Sequence, residues 1–429
     1  MKTVKSHFMF SAITGIALLT ACANNATTPT PNAIGGKVSL YVSADPIEAK
    51  AYGDIVAVFN KSNPKAEVEL INVPNGSDYR KRLAADFAAG APADIFFLNY
   101  QRYAPYANKN QLEPLGDLMM RSSVIQEADF YEPAIKPLRW KGKLTCLPIN
   151  ISSSVIYYNK ALFASIGAPI PTKDWTWDDM VAVAQRFSNL KVDGQRVFGF
   201  GGEVSIFRAA PYIWSNGGEL VDNADNPTQL ALDTPAASAA IQKWADLQTK
   251  LGVAPTATDD KAEDAATRFI NGRLAMFMDS RRVTPTFRDT ISNKFDWDVA
   301  PLPRHNTPNA ILHSEAVCMA ASSKNKAAAW ALIETLVGPQ GQTILADIGR
   351  TVPSLKSVAT SKSFLTPDAK PANSQVWLEN IPKLRAVPVT INWPDIETQI
   401  NKELEGVYYG RQSLADALKI LNPATKPLF

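Results

Sequence analysis

Histidine and cysteine are both scarce in this chain, three of each in 429 residues, and the shortage removes several kinds of chemistry. No Cys-x-x-Cys or His-x-x-x-His spacing occurs, so no zinc or other metal site is expected. Three cysteines in so long a chain fall far below the density of a small disulfide-stapled fold. An excess of one charge is missing too. The 44 Lys and Arg stand against 41 Asp and Glu, a formal +3, and the basic residues are dispersed without a long run. That argues against nucleic acid or an anionic membrane surface as partner. Beyond residue 21 no apolar run reaches the ~18 residues of a membrane helix. There is no Gly-x-Ser-x-Gly elbow and no Walker loop, and Gly199-Phe-Gly-Gly202 lacks the spacing of a dinucleotide loop. No cofactor is expected. Acids are plentiful, but no pattern selects the opposed pair that glycoside hydrolysis requires, so the enzymatic alternative, a secreted carbohydrate-active enzyme, is the weaker one.

What is present begins at the N-terminus. Lys2 and Lys5 precede an apolar run from Phe8 to Leu18 that closes with Leu19-Thr20-Ala21-Cys22. This resembles a bacterial lipoprotein signal, with residues 1–21 removed and Cys22 lipidated; an ordinary secretory signal is the alternative. Either reading puts the mature chain outside the cytoplasm; in the lipoprotein reading it touches the membrane through a lipid anchor only. Residues 22–36 hold no charge and almost no large apolar side chain, which reads as a flexible tether. The globular body is expected from Lys37.

The first third of that body alternates strand and helix. Lys37–Ser43 reads as a strand, and Ile47, Ala51, Ile55, Val56 and Phe59 share one face of a helix that stops before Pro64. Ala66–Val73 is a second strand, Tyr79–Ala89 a second helix, and Ile95-Phe-Phe-Leu98 a strand buried on both faces. This β-α-β-α-β order predicts a parallel sheet with helices on both sides. Ligands in such sheets sit beyond the carboxyl ends of the strands, here Asp45 and Asn99-Tyr100. Asp178-Asp179 open a helix and serve as dipole partners. Ala327–Leu336, Trp393–Tyr408 and Ser413–Leu421 are helical, with Trp244 and Trp330 assigned to the core.

Pro148-Ile-Asn-Ile-Ser-Ser-Ser-Val-Ile-Tyr-Tyr-Asn-Lys-Ala-Leu-Phe163 resembles the signature of the family 1 extracellular solute-binding proteins, the substrate receptors of ABC importers. Ser165 departs from it, standing where a charged or amide residue is expected. Gly90-Ala-Pro-Ala-Asp94, Thr176-Trp-Asp-Asp179, Trp214-Ser-Asn-Gly-Gly-Glu219, Phe269–Met276, Ala300-Pro-Leu-Pro303 and Gly410-Arg-Gln-Ser413 follow the family's order across nearly the whole mature chain. The resemblance implies a type II periplasmic-binding-protein-like α/β fold: two α/β lobes, a hinge and a central ligand cleft. Carried onto this chain, lobe 1 combines 37–150 with 316–351 and lobe 2 combines 152–313 with 354–429. Crossings are expected near Asn150–Tyr157, Leu312–Met319 and Gly349–Leu355. The implied partners are a small carbohydrate or polyol and the permease subunits of an ABC transporter, with the protein a monomer.

A sugar needs aromatic rings for its C–H faces and paired donors and acceptors for its hydroxyls. Trp214, before a Ser-Asn-Gly-Gly turn, and Trp393, at the start of a helix, are the expected ring platforms. Asn99 and Tyr100 follow the third strand, and Ser152 and Ser153 lie on the first crossing. Asp279, Ser280 and Arg281 follow an apolar strand. His313 and Glu315 lie on the second crossing and Arg350 on the third. Arg281 and Arg350 could instead clamp a phosphate, the basis of an alternative glycerol-phosphate-type ligand. Cys146 stands just before the first crossing and Cys318 lies on the second, which run side by side in that family; two free buried thiols are expected over a disulfide, because a bond there would stiffen the hinge.

Overall fold

The computed structural model describes residues 34–429, apart from Pro367, and these form one compact unit. Residues 1–33, which include the expected signal, Cys22 and most of the tether, lie outside the described residues. The tether is shorter at its far end than expected, since Gly35 and Gly36 already pair with Lys65 and Ala66 in the first sheet.

Strand β1 (Gly35–Val42), helix α1 (Pro46–Ser62), β2 (Lys65–Asn72), α2 (Gly76–Ala88) and β3 (Ile95–Asn99) follow the predicted alternation. Asp45 caps α1 by accepting from the Glu48 backbone N–H at 2.9 Å, and Pro46 occupies the first turn, where its missing donor costs nothing. Asn75 caps α2 through Ser77 and Asp78. β1 pairs in parallel with both β2 and β3. Two later strands complete this sheet: β9 (Glu315–Met319) lies antiparallel to β3, and β4 (Cys146–Pro148) lies antiparallel to β9, giving the order β2-β1-β3-β9-β4. Phe96 meets Phe87 of α2 while its neighbour Phe97 meets Tyr52 of α1. Consecutive strand residues point to opposite faces, so both faces of β3 are covered.

The second sheet has the order β6-β7-β5-β8, from β5 (Val155–Asn159), β6 (Phe198–Gly202), β7 (Leu274–Asp279) and β8 (Trp297–Ala300). Around it lie α3 (Trp177–Arg186), α4 (Ile206–Ser215) and α5 (Pro235–Thr249). Asp179 belongs to a capping box with Thr176, which accounts for this carboxylate structurally. The Gly199 stretch is strand β6, where a Cβ would overlap the Ala184 carbonyl of α3; glycine permits that close approach. Later helices are α6 (Lys326–Val337), α7 (Pro339–Asp347), α8 (Trp393–Tyr408) and α9 (Leu414–Thr425). Trp244 is buried; Trp330 is only half-buried against the core.

The fold is therefore two α/β lobes, and three connecting segments lie side by side between the sheets. Ser152 N–H donates to the His313 carbonyl at 2.7 Å and His313 N–H returns the bond at 2.9 Å. On the other flank Ile151 N–H donates to the Val352 carbonyl at 2.9 Å. Cys146 and Cys318 stand opposite each other on β4 and β9, Cα atoms 4.4 Å apart, and are disulfide-bonded. The expectation of free thiols is corrected. Both strands belong to the first sheet, and the connecting segments begin beyond them, so the bond staples a sheet and leaves the hinge unrestrained.

Candidate functional site

The connecting segments form the floor of a cavity of about 500 Å³. The end of β3 and the turn after it contribute Asn99, Gln101 and Arg102, while α1 and α2 contribute Glu48 and Arg80. The floor supplies Asn150, Ser152, His313, Ser314, Glu315, Arg350 and Thr351. The second lobe closes the space with Glu203, Phe207, Arg208, Ser280, Arg282 and Glu397.

The charges are organised as pairs. Glu48 lies 2.9 Å from Arg350, Glu397 of α8 lies 3.0 Å from Arg102, and Glu203 lies 3.3 Å from Arg208. Beneath the surface, Asp279 accepts from Arg208 at 2.7 Å, from Arg282 at 3.0 Å and from its neighbour Ser280 N–H at 2.6 Å. Burial alone would raise the Asp279 pKa, but the two guanidinium groups outweigh it and hold it down at about 2. Glu315 shows the opposite balance. Burial and the neighbouring Glu48 charge push its carboxyl up to about 7 against the pull of Arg350. Burial and Arg208 keep His313 well below its ordinary value, so it is a neutral ring, tilted against Phe207 with centroids 4.6 Å apart.

Of the residues singled out from sequence, Asn99, Ser152, Ser280, His313, Glu315 and Arg350 line this cavity. The others are placed elsewhere. Asp45 is the α1 cap. Tyr100 is buried, its hydroxyl accepting from Val387 N–H at 3.0 Å. Ser153 is turned away to accept from Asn380 at 3.1 Å. Trp214 is 4% exposed with the Arg385 guanidinium over its ring at 4.6 Å, and Trp393 is 0% exposed at the start of α8. Neither ring is a platform in this cavity, because each helix turns its tryptophan into the core. Asp279 orients Arg208 and Arg282 from behind. Arg281 is 1% exposed between Phe364 and Trp377, at 4.5 and 4.8 Å, with Ser374 accepting from it at 3.0 Å. Burial depresses its pKa to about 9. The pair Arg281 and Arg350 therefore forms no clamp; Arg282 faces the cavity instead.

Sequence reasoning missed Glu48, Arg80, Arg102, Glu203, Arg208, Arg282 and Glu397. One of them carried a signal. Arg208 interrupts the apolar stretch Ile206-Phe-Arg-Ala-Ala-Pro-Tyr-Ile-Trp214, and a charge on a buried helix face requires a buried partner. Among the described residues no cluster of metal-ligating side chains occurs, and no helix is long and apolar enough to cross a membrane.

Comparison with known proteins places this arrangement. Residues 54–372 match the family described as bacterial extracellular solute-binding protein, and the chain belongs to that family. Its fold is that of the sugar-binding substrate-binding proteins of ABC transporters. An ABC substrate-binding protein of Listeria monocytogenes, solved with cycloalternan, superposes with a TM-score of 0.84 at 24% identity, over 92% of this chain and 99% of that one. A maltose-bound protein of T. maritima gives 0.79 at 23% identity, over 92% and 100%. A Thermotoga lettingae solute-binding protein bound with α-D-tagatose gives 0.78 at 22%, over 92% and 99%. At these identities the likeness carries the fold.

Proposed function

We propose that this protein is the extracytoplasmic receptor of an ABC importer, anchored through lipidated Cys22, that captures a sugar or polyol and delivers it to the permease. The observation that carries this reading is the cavity at the crossing of three connecting segments, lined by hydrogen-bonding side chains from both lobes. Sugar hydroxyls are both donors and acceptors, and this lining offers carboxylates, guanidinium groups, amides and hydroxyls together. The lobes are 37–150 with 316–351 and 152–313 with 354–429. A solute touching both binds the closed form better and shifts the hinge equilibrium toward it.

Isothermal titration calorimetry against sugars and polyols tests the reading, with small-angle scattering to follow closure. Saturating solute is expected to reduce the radius of gyration; an unchanged radius argues against hinge closure, and cleavage of an oligosaccharide overturns the receptor reading. Anchoring has its own test. The native protein is expected in the detergent phase and its Cys22→Ala variant in the aqueous phase; equal partitioning removes the anchor.

A further inference from the structure

The cavity has a chemical character that narrows its ligand, an inference that rests on the receptor reading above. None of the nine tryptophans or twelve tyrosines is among its lining residues; Phe207 is its aromatic ring, and that ring already faces His313. An extended saccharide exposes a succession of C–H faces, each of which gains most from a ring laid against it. Here those faces would meet charged and amide groups. The volume, about 500 Å³, falls in the lower half of the ~300–1,000 Å³ range of small-molecule sites.

The charges are compensated before any solute arrives. Arg102, Arg208, Arg282 and Arg350 each have a carboxylate within 3.3 Å. Arg80 has no such partner among the described residues, but it is exposed, and solvent screens it. An anion entering this space would be desolvated without an unpaired cation at its floor, and would meet Glu48 and Glu315 there. A cation would meet the guanidinium groups. A hydroxyl suits both partners of an ion pair, donating to the carboxylate and accepting from the arginine. The cavity lining also offers it the side chains of Glu48, Ser152, Glu315 and Arg350.

We propose that the solute is a compact, uncharged, polyhydroxylated molecule of the size of a mono- or disaccharide, held by hydrogen bonds to Glu48, Ser152, Glu315 and Arg350 and not by ring stacking. Calorimetry of the purified protein with three classes of probe tests this. The first is neutral monosaccharides, disaccharides and polyols, including glucose, trehalose, maltose and glucitol; the second is maltohexaose; the third is glucose 6-phosphate and glycerol 3-phosphate. The tightest binder is expected in the first class, with affinity changing less than about twofold between about 20 and 300 mM salt, since no net charge is screened. Tightest binding of maltohexaose, or of a phosphate with affinity falling steeply in salt, overturns the inference and leaves the receptor reading standing. Binding of no probe in any class overturns the receptor reading itself.

Discussion

Replacing Asp279 by Asn removes one negative charge from beneath the cavity while keeping the side chain's shape. The carboxylate holds Arg208 at 2.7 Å and Arg282 at 3.0 Å, and both arginines line the cavity. Arg208 is 4% exposed, and its other acid, Glu203, is 61% exposed and largely screened. The variant thus leaves a buried guanidinium without an effective counter-charge, a change that costs about 3–5 kcal/mol. In melting temperature this is roughly 6–20 °C, at about 2–4 °C per kcal/mol for large domains. The acid limb of stability should change with it. A carboxylate held at about 2 in the folded chain, against 3.8 ordinarily, contributes its stability fully above its unfolded value and loses it as pH falls through about 2. Integrated, that is about 2 kcal/mol, present at pH 5 and gone near pH 1. Calorimetric melting of both proteins between about pH 2 and 5 reads the two effects together, since the amide introduced by Asp279→Asn does not titrate. Solute affinity should also fall by about tenfold or more as Arg208 and Arg282 lose their alignment, a role of positioning. A variant that melts within about 1 °C of the wild type, or shows the same acid limb, refutes the argument that this carboxylate is the counter-charge.

Three further outcomes are expected. Thiol titration in denaturant without reductant should detect neither Cys146 nor Cys318, and reduction should cost about 5 kcal/mol, the loop entropy of a 172-residue separation; two titratable thiols would remove the bond. Trp214→Ala and Trp393→Ala should each lose about 3–5 kcal/mol of stability by leaving a core cavity, with solute affinity of the folded fraction unchanged; lost affinity at unchanged melting temperature would return these rings to the ligand. Glu315, pushed up to about 7 by burial and Glu48, contributes stability fully below the ordinary carboxylate range and loses it as pH rises through about 7. The wild type should therefore lose on the order of 3 kcal/mol between about pH 4 and 8, and Glu315→Gln should not; parallel profiles would show that Glu315 is ionised throughout.

The sequence by itself determined the first five elements and their order, and several of the later helices. Apolar periodicity and capping residues are local properties, so β1 through β3, the cap at Ser413 and the buried run Ile95–Leu98 were legible without neighbours. The family resemblance carried by Pro148–Phe163 implied the first connecting segment and the small hydroxyl side chains on it. Tertiary structure alone decided which side chain of each adjacent pair faces the solute. Asn99 points in and Tyr100 away, Ser152 in and Ser153 away, Arg282 in and Arg281 away. Adjacent side chains on an extended segment or a tight turn point in different directions, and local sequence does not say which of them meets the other lobe. The charge pairs are further from reach: Arg102 and Glu397 are 295 residues apart, and Arg208 and Asp279 are 71. Such pairs exist only once two sheets have been set against each other, because Coulomb attraction depends on distance in space and is indifferent to distance along the chain. Likewise, the tryptophans that composition offered as platforms were claimed by the core, since a large ring gains more from complete burial than from a half-exposed place at a cavity wall.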